Sequence, residues 1–184
     1  MNIFKVIMKL LVVPKDISKD ALLTIVPCLL VGIYIAIVIK YNFLCLLYGL
    51  LLITSCLYWT NTNWKNMMYL DITIVAILII LKSFIVTNRF NNIYKLLWFF
   101  ALCIMIISFI VNRAILMRRL YPSNTIERNV IGDIIDKYYP ITYTPEGTHE
   151  RRKAYQTSTR IHMVMIHLLP TIIFATGFYI SCMK

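Results

Sequence analysis

The sequence is poor in charge, in acidic residues and in glycine. Charged side chains make up 15% of its 184 residues, whereas a typical soluble domain carries about 25%. Asp and Glu together occur 8 times and glycine 5 times. Hydrophobic residues reach 60%, and the mean hydropathy is +0.74. These proportions exclude a soluble globular domain, a disordered chain and a nucleic-acid-binding module.

The common catalytic and nucleotide-binding motifs are also missing. The sequence contains no GxGxxG, GxxxxGK[ST], GxSxG or HExxH. Its five cysteines are odd in number, form no CxxC and lie in or beside apolar stretches. They are therefore interpreted as small buried apolar residues, not as a disulfide framework or a zinc finger.

Long apolar stretches are the main feature that is present. A membrane-spanning helix needs roughly 20 predominantly apolar residues. Five stretches qualify, and they predict an all-α, integral membrane bundle of about five transmembrane helices in a single domain over residues 1–184. The predicted spans are Leu22–Ile39, Asn42–Trp59, Leu70–Val86, Tyr94–Val111 and Ile161–Ile180.

The segments between the spans add two amphipathic helices. Residues 1–13 are apolar with two lysines on one face, a pattern typical of a helix lying in the membrane interface. A long polar loop runs from residue 112 to 160. Within it, apolar residues between 124 and 138 recur at helical spacing.

The charge balance predicts the orientation in the membrane. The formal net charge is +11, with 19 Lys and Arg. If the N-terminus is cytoplasmic, most of these basic residues fall on the inner side, as the positive-inside rule expects. The loop over residues 112–160 is then cytoplasmic. The excess of positive charge is thus explained without a nucleic-acid partner, and the sequence leaves open which organelle or virion membrane holds the chain.

Ionisable and polar residues inside spans are the candidate functional residues, because they are costly there without partners. With five spans, four of the five lie near the same membrane face, whichever way the chain is oriented. Lys82 is the exception, about 16 Å along the third helix from Asp71 and on the same side of that helix. The candidates are Ser55, Asp71, Lys82, His162 and His167.

Each candidate also has a purely structural interpretation. Ser55 could bond to a backbone carbonyl of its own helix. Asp71 could favour the positive end of a helix dipole. Lys82 could extend toward the far interface instead of facing the bundle interior. The two histidines could serve as hydrogen-bonding residues between helices.

The sequence pattern resembles that of the CREST superfamily of membrane hydrolases, which includes alkaline ceramidases and adiponectin receptors. The resemblance lies in the stretch from Ser55 to Trp59, in Leu70-Asp71 and in the histidine pair His162 and His167. The resemblance implies a zinc ion held by histidines, with His162 and His167 as ligands. It also implies that Asp71 orients the zinc-bound water and that Ser55 steadies the developing oxyanion. The stretch Tyr58-Trp59-Thr60-Asn61 with Leu70-Asp71 also looks like small multi-pass proteins of algae and large DNA viruses.

The chain departs from the CREST pattern in three respects. Trp59 occupies the position of a third histidine ligand, and His149 or Cys56 would have to replace it. The family has seven spans, whereas five are predicted here. His162 and His167 are five residues apart, so a regular α-helix would point their rings about 140° apart. A π-bulge, which the nearby Pro170 could help to cause, would realign the two rings.

Two functional hypotheses follow. In the first, the chain is a degenerate CREST-like protein whose reaction, if it is active, is zinc-dependent hydrolysis of a lipid amide or ester. In the second, it is a non-enzymatic membrane or envelope protein whose basic inner loop binds anionic lipid or a partner. The short basic clusters Arg118-Arg119 and Arg151-Arg152-Lys153 favour the second hypothesis, although they can also act only as topology determinants.

Overall fold

The computed structural model describes residues 13–62, 64–121, 134, 137 and 141–182. The predicted interfacial helix over residues 1–13 lies outside this range except for Val13. The predicted amphipathic helix between 124 and 138 also lies outside it except for Ile134 and Lys137.

The described part of the chain is helical and contains no strand. The α-helices are α1 (Lys15–Val38), α2 (Asn42–Thr60), α3 (Lys65–Leu81), α4 (Asn92–Leu120), α5 (His149–His162) and α6 (Leu169–Cys182). A π-helical turn (Lys82–Val86) and a short 3₁₀ turn (Thr87–Arg89) continue α3. A second π-helical turn (Met163–Leu168) joins α5 to α6.

Among the described residues, five continuous helical segments are long and apolar enough to cross a membrane, which confirms the predicted number of apolar helices. The first, second and fourth spans are α1, α2 and α4. The third span is α3 with its two following turns, and the fifth is α5, the second π-turn and α6.

Several helices extend beyond the apolar stretches that predicted them. The first span begins at Lys15 instead of Leu22, and the fourth ends at Leu120 instead of Val111. The fifth begins at His149, so both ends of the predicted loop over residues 112–160 are helical. Hydropathy marks only the part of a helix that suits hydrocarbon, whereas backbone hydrogen bonds continue the helix into more polar sequence.

Capping residues help to fix where two of these helices begin. The Asn91 side chain accepts a hydrogen bond from the Tyr94 N–H at the start of α4. At the start of α5, the Thr148 hydroxyl accepts one from the Arg151 N–H. Each cap satisfies a backbone donor that has no partner within its helix.

The outer surface of the bundle is apolar. Large hydrophobic side chains on every span face outward, and Leu23 is 77% exposed. Exposed apolar surface on this scale is unfavourable in water and typical of surfaces that contact other apolar molecules. The surface composition therefore agrees with the length and hydropathy of the helices.

Close packing of α1 on α2 depends on a glycine. The ring of Tyr48 lies directly over Gly32, where a Cβ atom would come within 2.2 Å of the ring carbon Cε1. Gly49 also lies in an apolar helix, but a Cβ atom there would meet nothing within 4 Å. The two positions therefore offer a matched pair for testing this packing.

We expect Gly32→Ala to destabilise the folded protein by about 1–3 kcal/mol, because the ring of Tyr48 has to move. Gly49→Ala should be neutral or slightly stabilising, since alanine favours the helix. Thermal unfolding in detergent measures both effects. Equal melting temperatures for the two variants would contradict the close contact at Gly32.

Candidate functional site

All five spans contribute to the walls of one interior cavity of about 640 Å³. The four residues predicted as catalytic or metal-binding, Ser55, Asp71, His162 and His167, line this cavity, as does Lys82. The structure therefore places these candidates around one space. His149 and Cys56, the possible replacement ligands, are not among its lining residues.

Ser55 and Asp71 form a hydrogen-bonded pair between α2 and α3. The Ser55 hydroxyl donates to Oδ1 of Asp71, and the Thr54 hydroxyl lies 3.3 Å from the same oxygen. Ser55 thus bonds to a neighbouring helix and not to its own backbone. Asp71 lies past the first turn of α3, which begins at Lys65 and has no acid there, so the helix-dipole interpretation does not apply.

His162 and His167 face each other directly. Their Nε2 atoms are 3.1 Å apart, and their rings meet edge-on with centroids 4.9 Å apart. A hydrogen bond at this distance requires one ring to carry its proton on Nε2 and the other to carry its proton on Nδ1. The two Nε2 atoms can therefore satisfy each other's hydrogen bonding in the apolar interior while both rings stay uncharged.

The second π-turn brings these rings together. In it the Leu169 N–H bonds to the Val164 carbonyl five residues back, so residues five apart take positions that residues four apart hold in an α-helix. The realignment predicted from a π-bulge is confirmed. Pro170 provides a physical reason, because its ring would clash with the carbonyl four residues earlier in a regular helix.

Trp59, the residue that stands where the CREST pattern has a third histidine, packs its indole ring against His162. Its ring centroid lies 5.6 Å from that of His162, and the side chain is 7% exposed. Trp59 thus packs inside the bundle. It closes one side of the histidine pair.

Lys82 faces the interior and does not extend to the far interface. Its Nζ atom lies 4.3 Å from the ring centroid of Phe174, 4.9 Å from that of Trp98 and 5.6 Å from that of Tyr48. The Trp98 indole N–H donates to the Ser83 hydroxyl at 3.0 Å. Three aromatic faces therefore surround the ammonium group, an arrangement that favours a cation.

Sequence reasoning did not single out Asn112 and Arg113, although both line the cavity. Asn112 also joins α4 to α5, because its side-chain amide donates to the Ser158 carbonyl at 2.9 Å. The signal was available, since Met105, Phe109 and these two residues recur at helical spacing on the cavity side of α4.

The described residues bring two histidines together but add no third zinc ligand. Two zinc-bound imidazole nitrogens would be about 3.3 Å apart, given tetrahedral geometry and a bond of 2.0–2.1 Å, so the histidine pair alone is close to suitable. Catalytic zinc, however, uses three protein ligands. The described residues contain no group of three or more His, Cys, Asp or Glu side chains arranged to hold a metal ion.

Part of the predicted basic cluster is used to hold the fold together. The Arg151 guanidinium donates to the carbonyls of Leu120 and Thr144, at 2.9 and 3.1 Å. Arg152 forms an ion pair with Asp16 on α1. These contacts connect the fifth span to α4 and α1. Binding of anionic lipid at this end of the bundle stays a prediction.

Comparisons of the chain with protein-family models, with curated proteins and with solved structures find no match. The resemblance to the CREST superfamily thus has only the sequence residues named above as its support.

The π-turn makes a specific prediction about deletions. Removing Val164 should convert the turn into regular α-helix and leave His162 and the shifted second histidine on one face, four residues apart. Removing Ile172, a similarly exposed residue of α6, should rotate the rest of the helix by about 100° and disrupt its packing. We therefore expect a much smaller fall in melting temperature for the Val164 deletion. A larger fall for that deletion than for the Ile172 deletion would contradict the role of the π-turn.

Proposed function

We propose that this chain is a multi-pass membrane protein whose interior cavity binds a single-chain amphiphile, a molecule with one hydrocarbon chain and a polar group. The observation that carries the proposal is a cavity of about 640 Å³ between the apolar helices of the bundle. Ligand pockets typically measure about 300–1,000 Å³ and combine apolar walls with a few polar groups. This cavity fits that description.

The shape of the cavity favours a chain-like ligand. Asp71 and Lys82 both line it, and they are separated by about 16 Å along the helix axis. Apolar side chains of the same helix, Ile72, Val75 and Ile79, line the space between them. A hydrocarbon chain lying along α3 would contact these residues and bury apolar surface that otherwise faces the cavity.

Zinc-dependent hydrolysis of a lipid amide or ester is the more specific hypothesis. It would place the reacting bond at Ser55, Asp71 and the two histidines. Because the described residues supply two imidazole ligands and no third ligand, we derive no reaction step through a metal. Binding is the part of the hypothesis that the cavity supports.

Binding can be tested by narrowing the cavity. Val75 lines it, whereas Ile77, two residues away on α3, faces outward and does not. We expect Val75→Phe to weaken binding of radiolabelled hexadecanol to purified protein by about tenfold or more, equivalent to about 1.4 kcal/mol. Ile77→Phe should leave binding unchanged. Melting temperatures check that both variants are folded, and equal binding by both would contradict an amphiphile in this cavity.

Elemental analysis of detergent-purified protein tests the metal hypothesis. We expect zinc well below one ion per chain, because two imidazole ligands and no third ligand converge among the described residues. A His167→Ala variant is the control. About one zinc per chain, lost in this variant, would overturn the expectation and would justify assays of lipid hydrolysis.

A further inference from the structure

Among the candidate residues of the cavity, Lys82 differs from the Ser55–Asp71 and histidine pairs in having no hydrogen-bonded side-chain partner among the described residues. Ser55 and Asp71 are bonded to each other, and the histidines form their own pair. Three aromatic faces lie around the Nζ atom of Lys82, and the Cys28 side chain is close enough to interact with it electrostatically. No carboxylate of the described residues lies within ion-pair distance of this Nζ atom. An ammonium group inside a membrane protein without an acidic partner marks a ligand or ion site.

The geometry points to a carboxylate-binding site at Lys82: we propose that the cavity binds a long-chain fatty acid with its carboxylate on this lysine and its chain directed toward Ser55 and Asp71. The inference rests on the proposed function, because it names the class and the orientation of the amphiphile.

The opposite orientation is less favourable for a simple physical reason. A methyl end placed against Ser55, Asp71 and the histidine pair breaks none of their hydrogen bonds, since these groups already bond to one another. Arg113, which also lines the cavity and lies near His162, has interactions of its own with the protein. A methyl end placed against Lys82 would leave three N–H donors in apolar surroundings. The carboxylate thus belongs at the lysine end.

The aromatic rings prepare the site for an anion. Phe174 and Trp98 are almost fully buried, at 2% and 1% exposure, so the box around Nζ is built from side chains held in the core. Their faces stabilise the cation but cannot accept its hydrogen bonds in the way that a carboxylate does. A charge-assisted bond between the ammonium and a carboxylate supplies this acceptor and neutralises the buried charge.

The test compares radiolabelled palmitate with hexadecanol, which has the same chain length and no charge. We expect the wild-type protein to bind palmitate at least about tenfold more tightly, as a charge-assisted hydrogen bond implies. Lys82→Met should remove this preference and retain binding of hexadecanol, and Lys82→Arg should keep the preference. Lys95→Met is the matched control, because Lys95 lies on α4 and does not line the cavity.

Palmitate brominated at its terminal carbon tests the orientation by quenching nearby tryptophans. Trp98 lies beside Lys82, and Trp59 lies beside His162 at the other end. The terminal bromine should quench Trp59 more than Trp98, with Trp59→Phe and Trp98→Phe assigning the two signals. The reverse pattern would overturn the orientation.

The outcomes separate this inference from the proposed function. Equal binding of palmitate and hexadecanol, or a palmitate preference that survives in Lys82→Met, would overturn the carboxylate site while leaving the amphiphile cavity standing. Binding of neither molecule to wild-type protein would overturn both proposals.

Discussion

The interior of a bundle of apolar helices offers no bulk water, so each polar side chain there needs a partner from the protein or from a ligand. This requirement explains the arrangement around the cavity. The Asp71 carboxylate accepts hydrogen bonds from the hydroxyls of Ser55 and Thr54, and the two histidines are hydrogen-bonded to each other. The hydrogen bonds of Asp71 thereby join α2 to α3. In the fifth span, the π-turn lets the two histidines bond to each other, so this pair needs no hydrogen-bond partner from another helix.

The number of helices in this fold is predictable from the sequence. The hydrogen-bond partners of its polar residues are harder to predict. Apolar length predicts five helices, and their parity places Ser55, Asp71 and His162 at one end of the bundle. The spacing of His162 and His167 predicts separated rings in a regular helix, and only a non-standard turn brings them together. Sequence periodicity assumes 3.6 residues per turn, so it does not locate such a turn, although Pro170 gives a hint.

Other features depend on tertiary packing that no local pattern encodes. Lys82 was expected either to extend to an interface or to face inward, and the choice is decided by rings from three other spans. The involvement of Arg151 in structural contacts follows from the meeting of α4 and α5. The cavity therefore has two different ends. One end holds polar groups that are hydrogen-bonded to each other, and the other holds the Lys82 ammonium among aromatic rings. This difference is the basis for proposing an oriented, chain-like ligand.

The histidine pair allows the most direct test of polar groups satisfying each other inside the bundle. The chain has only 3 histidines, so protein labelled at histidine nitrogen gives simple solid-state NMR spectra in bilayers. A strong through-space correlation between the Nε2 atoms of His162 and His167 is predicted, and it should disappear in His167→Ala. The absence of this correlation in wild-type protein, as expected for two rings about 140° apart on a regular α-helix, would contradict the π-turn and the pairing that depends on it.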